Sequence, residues 1–264
     1  MAFLDVHCFS ESLKMSVAFH VVLPQKTAGR IGMPDSAERD KYPTLYLLHG
    51  LSDDHTAWMR RTSIERYAAA KSIAVVMPAV SRSFYQDMAR GPQYWTFLSE
   101  ELPALCQHWF PLSTAREDTF AAGLSMGGYG ALRLALGRPD KFAAGASLSG
   151  ALDIGKRLRE GEKENSRVSL SEWHGVFGPE LLGSGTGSDL FTLAERAAQS
   201  AAPQPQVYLC CGTGDALLPD TRDFHAHLDR LHLGHTYVES PGAHDWAYWD
   251  AQIQCVLDWL PLRK

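Results

Sequence analysis

The stretch GLSMGGYG, Gly123 to Gly130, constrains this chain more than any other. One serine stands among four glycines, directly after the apolar run Thr119 to Ala122 and directly before the helix formers Ala131 to Leu136. An apolar run, a glycine turn and a helix-forming run in that order specify a strand that bends sharply into a helix. Glycines flank such a bend because a side chain there collides with the neighbouring strand or helix, while one serine tolerates the strained backbone at the apex. Two chemistries use a turn of this kind. One cradles phosphate, but the spacing fits neither G-x-G-x-x-G nor G-x-x-x-x-G-K-[ST]. The other holds a nucleophile, and Gly123-Leu124-Ser125-Met126-Gly127 is the G-x-S-x-G arrangement centred on Ser125. A plain Gly/Ser turn without chemistry is the alternative that the pentapeptide alone leaves open.

The surrounding chain alternates short apolar runs with amphipathic segments, the rhythm of a mostly parallel central sheet flanked by helices, an α/β class. Val17 to Leu23 reads as a half-exposed early strand and Pro24 to Tyr42 as a polar loop. Thr44 to Gly50 and Ile73 to Pro78 read as buried strands, and a helical pattern spans Trp95 to Trp109. Asp118 to Ala122 feeds the glycine turn, and a further strand lies near Phe142 to Leu148. Residues 151–205 change texture, from charged to aromatic to the Gly/Ser-rich GSGTGS, which suits a lid-like insertion within a single domain spanning residues 1–264. Strands at Gln206 to Gly212 and His235 to Ser240 then alternate with helices at Thr221 to Leu231 and Asp245 to Leu260.

Bulk properties exclude several classes. The formal net charge of −5 gives no electrostatic reason to bind nucleic acid or an anionic membrane. No apolar run approaches the roughly 20 residues of a membrane span, and Met1 to His7 lacks the features of a secretion signal. The 5 cysteines have no C-x-x-C spacing, and Cys210 and Cys211 adjoin inside an apolar run, so they read as reduced core thiols of a cytoplasmic protein.

A serine nucleophile needs a base, an acid to orient the base, and donors for the developing oxyanion. In an α/β-hydrolase the acid and then the histidine follow the serine, each just after a late strand. Asp215 in CCGTGD and His244 in ESPGAHDW occupy those places. Asp220, Asp223 and Asp245 belong to helix starts, where an acidic residue meets the helix dipole favourably. His225, His227, His232 and His235 fall in or beside an amphipathic helix. The oxyanion donors are then the backbone N–H groups of Met126 and Leu51, the latter released inward by Gly50. The run HGLSDDH invites a metal site from His49, Asp53, Asp54 and His55, but its spacing matches no ligand pattern, and His49 reads as a turn-stabilising residue.

With these residues placed, the chain resembles the esterase D group of esterases, and within it the small bacterial tributyrin or acetyl esterases. The resemblance is carried by YLLHGLSDDHTAWMRRT, IAVVMPAVSRSFYQD, YWTFLSEELP, TFAAGLSMGGYGALRLAL, SLSGAL, GVFG, CGTGD and GAHDWAYWD. It implies an α/β-hydrolase domain, a short-chain carboxylesterase and frequent homo-oligomerisation. It also implies Ser125 as nucleophile, Asp215 as acid, His244 as base, and Leu51 and Met126 as oxyanion amides. SFYQD and EELP also resemble the S-formylglutathione hydrolases and, more distantly, feruloyl esterases and mycolyltransferases. Residues 156–187 match only through EWHGVFG.

The expected reaction acts on a small-molecule ester through an acyl-enzyme, with no metal or organic cofactor required. A histidine base predicts activity that falls toward acid pH as the imidazole takes a proton. Tyr85, Trp173 and Trp246, near predicted strand ends, are candidates for lining the substrate pocket.

Overall fold

Continuous apolar runs become central strands here, and the helices between them divide over two faces. The computed structural model describes residues 1–26, 31–32, 37, 39–160, 167–179 and 187–263, with residues 159 and 160 described by backbone alone. The chain opens with a hairpin, β1 (Ala2–Ser10) and β2 (Met15–Leu23). Then come β3 (Thr44–Leu48), α1 (Ala57–Arg61), α2 (Ile64–Lys71) and β4 (Ala74–Pro78). Helix α3 (Tyr94–Thr96) runs through one π-helical turn (Phe97–Glu101) into α4 (Leu102–Trp109). After β5 (Thr119–Leu124) follow α5 (Met126–Gly137), β6 (Ala144–Leu148), α6 (Ile154–Glu160), α7 (Leu170–Phe177) and α8 (Leu190–Gln199). The chain ends with β7 (Gln206–Gly212), α9 (Leu218–Arg230), β8 (His235–Ser240) and α10 (Trp246–Trp259).

The strands form one sheet in the order β1-β2-β4-β3-β5-β6-β7-β8. β2 pairs antiparallel with both β1 and β4, and the remaining pairs are parallel. Every residue of β3, β4, β5 and β6 is buried, as a parallel sheet covered on both faces requires. One face carries α4, α5, α8 and α9 on a core that includes Tyr46, Leu102, Leu132, Leu193 and Phe224. The other carries α1, α2 and α10 on a core that includes Leu45, Trp58, Ala68, Ile253 and Leu257. This is the α/β-hydrolase fold. No helix among the described residues is long and apolar enough to cross a membrane.

Three elements differ from the sequence expectations. β1 was not foreseen: its outward residues Phe3, Asp5, His7 and Phe9 mix aromatic with charged groups, which disguises the two-residue period. β2 is largely buried, because it lies between two partner strands. The helix over Trp95 to Trp109 contains a π turn just before Pro103, which cannot donate to the Ser99 carbonyl; Lys141 Nζ takes that oxygen instead, at 3.0 Å.

Within residues 151–205, α8 covers the sheet with Leu190, Leu193, Ala194 and Ala197. Helix α7 is seated on the loop after β4, where the Ala89 and Arg90 amides donate to the carbonyls of Val176 and Gly175 at 3.0 and 2.9 Å. Arg82 reinforces the seat with a two-pronged contact to Glu172, at 2.5 and 3.1 Å. Much of the Gly/Ser-rich run, residues 183–186, lies outside the described residues, as do 27–30, 33–36 and 38 of the early loop.

Candidate active site

Close packing, more than turn preference, explains the glycines around Ser125. A Cβ on Gly123 would stand 2.4 Å from the Gly127 carbonyl oxygen, and one on Gly127 would stand 2.4 Å from that of Leu48. The end of β5, the start of α5 and the end of β3 therefore touch backbone to backbone. Ser125 sits at the apex with φ 54° and ψ −117°. Its amide donates to Leu148 O at 3.0 Å, and its carbonyl accepts from Gly128 N at 3.0 Å and Ala151 N at 3.1 Å, so β6 and α5 both hold the bend.

Two late loops deliver the partners. The loop after β7 places Asp215, and the loop between β8 and α10 places His244. Ser125 Oγ lies 3.0 Å from His244 Nε2, and His244 Nδ1 lies 2.9 Å from Asp215 Oδ2. Asp215 is buried, and its other oxygen accepts from Leu217 N at 2.8 Å. Burial opposes its charge, but hydrogen bonds from His244, the Leu217 amide and Ser149 outweigh burial and hold the carboxyl below its ordinary range. The stable arrangement has Asp215 ionised and His244 donating from Nδ1, which leaves Nε2 free to accept from the serine hydroxyl.

Gly50 brings the loop after β3 against the serine, since a Cβ there would lie 3.8 Å from Ser125 Cβ. The next residue is Leu51. Met126 opens α5, where an N–H has no carbonyl one turn behind it to bond. His49 stabilises this loop through both ring nitrogens: Nδ1 donates to Gly50 O at 2.7 Å while Nε2 accepts from Val80 N at 3.1 Å. Burial lowers its pKa, in keeping with that neutral form.

The three aromatic candidates have different surroundings. Tyr85 is fully buried; its hydroxyl donates to His49 O at 2.8 Å and its carbonyl accepts from buried Arg133, so it braces the loop from behind. Trp173 is buried in α7 against Phe84 and Phe177, at ring separations of 4.7 and 5.6 Å. Trp246 is half-buried between Trp58 and Trp249.

Sequence reasoning missed two residues, one beside the imidazole and one beside Asp215. Trp249, one helical turn beyond Trp246, stands edge-on to His244 at 4.9 Å, and its indole N–H donates to Ser149 Oγ at 3.2 Å. Ser149 supports Asp215 in turn. The SLSG run at the end of β6 was the available signal for Ser149, while nothing local distinguishes Trp249 from the other tryptophans.

The sequence matches the family described as "Putative esterase" over residues 10–260. It is 30% identical over 262 residues to an acetyl esterase of Caldicellulosiruptor saccharolyticus, covering 98% of each chain. Among solved structures it is similar to the fluorophosphonate-binding serine hydrolase FphF of Staphylococcus aureus, with a TM-score of 0.87 and 33% identity over 99% of each chain. It is also similar to S-formylglutathione hydrolase FrmB of the same organism, with a TM-score of 0.82 and 34% identity over 98% of each chain. A serine bent out of a strand-to-helix turn, in a chain that matches these hydrolases along almost its whole length, has one reading: the chain belongs to this esterase family and is a carboxylic ester hydrolase.

Proposed function

We propose that the chain is a serine carboxylesterase for short acyl groups, acetyl to butyryl, acting through a Ser125–His244–Asp215 triad. The observation that carries the reading is the continuous line of contacts, 3.0 Å from Ser125 Oγ to His244 Nε2 and 2.9 Å from His244 Nδ1 to Asp215. Ser125 Oγ attacks the ester carbonyl as its proton passes to His244 Nε2, and Asp215 stabilises the imidazolium that forms. The Leu51 and Met126 amides receive the oxyanion. His244 then gives its proton to the leaving alcohol. Water, deprotonated by the same nitrogen, releases the carboxylic acid and restores the serine.

Of Tyr85, Trp173 and Trp246, we place Trp246 nearest the substrate, because it packs on Trp249, which touches His244. We assign Trp173 to shaping the site indirectly through Phe84, and Tyr85 to bracing the loop that carries Leu51. The five unpaired cysteines support a cytoplasmic location.

The likeness to S-formylglutathione hydrolase FrmB favours a second reading, thioester hydrolysis by the same three residues. The deciding measurement is kcat/KM for an aryl acetate against that for S-formylglutathione on one preparation. A ratio well above one that falls with longer acyl chains supports the short-chain esterase. A ratio far below one assigns the thioesterase.

A further inference from the structure

The loop that brings Leu51 to the serine carries a second group of residues at its far end. There His55 meets the β1–β2 hairpin, and its Nε2 lies 3.9 Å from Asp5 Oδ1. The same carboxylate oxygen lies 3.5 Å from His20 Nε2 and 3.4 Å from His7 Nε2. Strand pairing sets the arrangement. Asp5 and His20 are direct partners across the antiparallel ladder, and Asp5 and His7, two apart on β1, share one face. Edge-on ring contacts orient the imidazoles, Phe3 to His20 at 4.7 Å and His20 to His55 at 4.6 Å.

Hydrogen bonding does not account for this grouping. The three separations exceed the 2.7–3.2 Å of good N–H···O bonds, and the buried Nδ1 atoms of His20 and His55 have no partner either. The spacing instead suits ligands of a common ion. The donor atoms of Asp5, His20 and His55 all lie within 4.8 Å of one another. A tetrahedral ion at about 2.0–2.2 Å from each ligand spaces them about 3.4 Å apart, close to the 3.5 Å of His20 to Asp5 and the 3.9 Å of His55 to Asp5.

We propose that Asp5, His20 and His55, with water completing the shell, bind a divalent ion of the zinc type that clamps the β1–β2 hairpin to the loop carrying Leu51. Imidazole nitrogens with one carboxylate oxygen favour Zn2+, Co2+ or Ni2+ over Mg2+ and Ca2+, which prefer all-oxygen sets. The ligands are not the HGLSDDH set, which its spacing already disfavours: His49 has both ring nitrogens occupied, and His55 takes its partners from the hairpin. A second cluster, His225, Asp229 and His235, supplies the contrast, because His225 Nδ1 and His235 Nε2 at 2.7 Å are bonded to each other.

The test uses the full-length chain stripped of metal by a chelator, then titrated with ZnCl2 by calorimetry and with CoCl2 by visible absorption. One Zn2+ per chain is expected, together with the intense visible bands of four-coordinate Co2+. D5N and H55Q should each weaken Zn2+ binding about tenfold or more, while H225Q leaves it unchanged. Zn2+ should raise the unfolding temperature of the parent chain and not that of D5N, whose metal-free unfolding temperature verifies that the variant folds. No uptake, uptake that survives both D5N and H55Q, or uptake lost in H225Q would overturn the proposal.

Discussion

At φ 54° and ψ −117°, Ser125 occupies a backbone region that costs a non-glycine residue about 1–3 kcal/mol. Bonds to Leu148 O and from Ala151 N hold it there, with its side chain directed at His244. Removing the hydroxyl by S125A leaves the strain in place, whereas S125G relieves it. Both variants should lose essentially all turnover, and in urea unfolding S125G should be more stable than S125A by about 1 kcal/mol. Equal stabilities would mean that the bend is not strained. Asp215 fixes which imidazole nitrogen carries the proton, and an amide in its place favours the wrong tautomer. D215N should therefore lower kcat about 10⁴-fold with the fold retained. Steady-state kinetics that retain more than a tenth of the parent rate would remove Asp215 from its role.

Among the elements, the contact of α5 with the end of β3 tolerates least. A Cβ on Gly127 meets two backbone carbonyl oxygens, Leu48 at 2.4 Å and His49 at 2.7 Å, and neither can swing aside as a flexible side chain would. Gly175 in α7 has nothing within 4 Å of its Cβ position. The same substitution should thus act in opposite directions: G127A destabilises by about 1–3 kcal/mol or more, and G175A stabilises by about 0.5–1 kcal/mol. Denaturant midpoints check both, and a neutral G127A would show that the α5–β3 approach is looser than described. Helix α7 itself is held partly by Arg82 and Glu172, a pair open to solvent on the arginine side. R82A should change global stability by no more than about 1 kcal/mol and should shift KM and acyl-chain preference if α7 shapes the site. Unchanged preference across acetyl, butyryl and hexanoyl esters would separate α7 from substrate selection.

For the whole molecule, carboxylates tie distant segments together. Glu101 accepts from Ser10 Oγ and from the Glu11 and Ser12 amides, fastening the β1–β2 turn to the π-helical segment. Asp118 binds Arg263 and Ser113, fastening the C-terminal segment to the start of β5. Burial works against the charge on Glu101, Asp118 and Asp215, yet their hydrogen bonds hold all three below the ordinary carboxyl range in the folded state. The unfolded chain therefore binds more protons than the folded one in that window. Their stabilisation is present above the unfolded carboxyl range of about 3.9–4.3 and is lost as pH falls below it. Unfolding temperature should drop steeply between about pH 4 and pH 2, and a flat profile there would contradict the depressed carboxyls.

What the sequence by itself determined is local and periodic. Four glycines around Ser125 require a tight strand-to-helix turn, and unbroken apolar runs at Leu45, Val75, Phe120 and Val207 require strands covered on both faces. Asp215 and His244 were legible because parallel strands deliver the residues that follow them to one edge of the sheet, whatever their separation in the chain. Other features depended on tertiary structure, because they rest on contacts between residues far apart in sequence. The bond of Tyr85 to His49 O, the packing of Trp173 on Phe84 and the bond of Trp249 to Ser149 Oγ each join segments far apart in the chain. The meeting of Asp5, His20 and His55 required a ladder pairing and a loop return, neither of which a local pattern encodes.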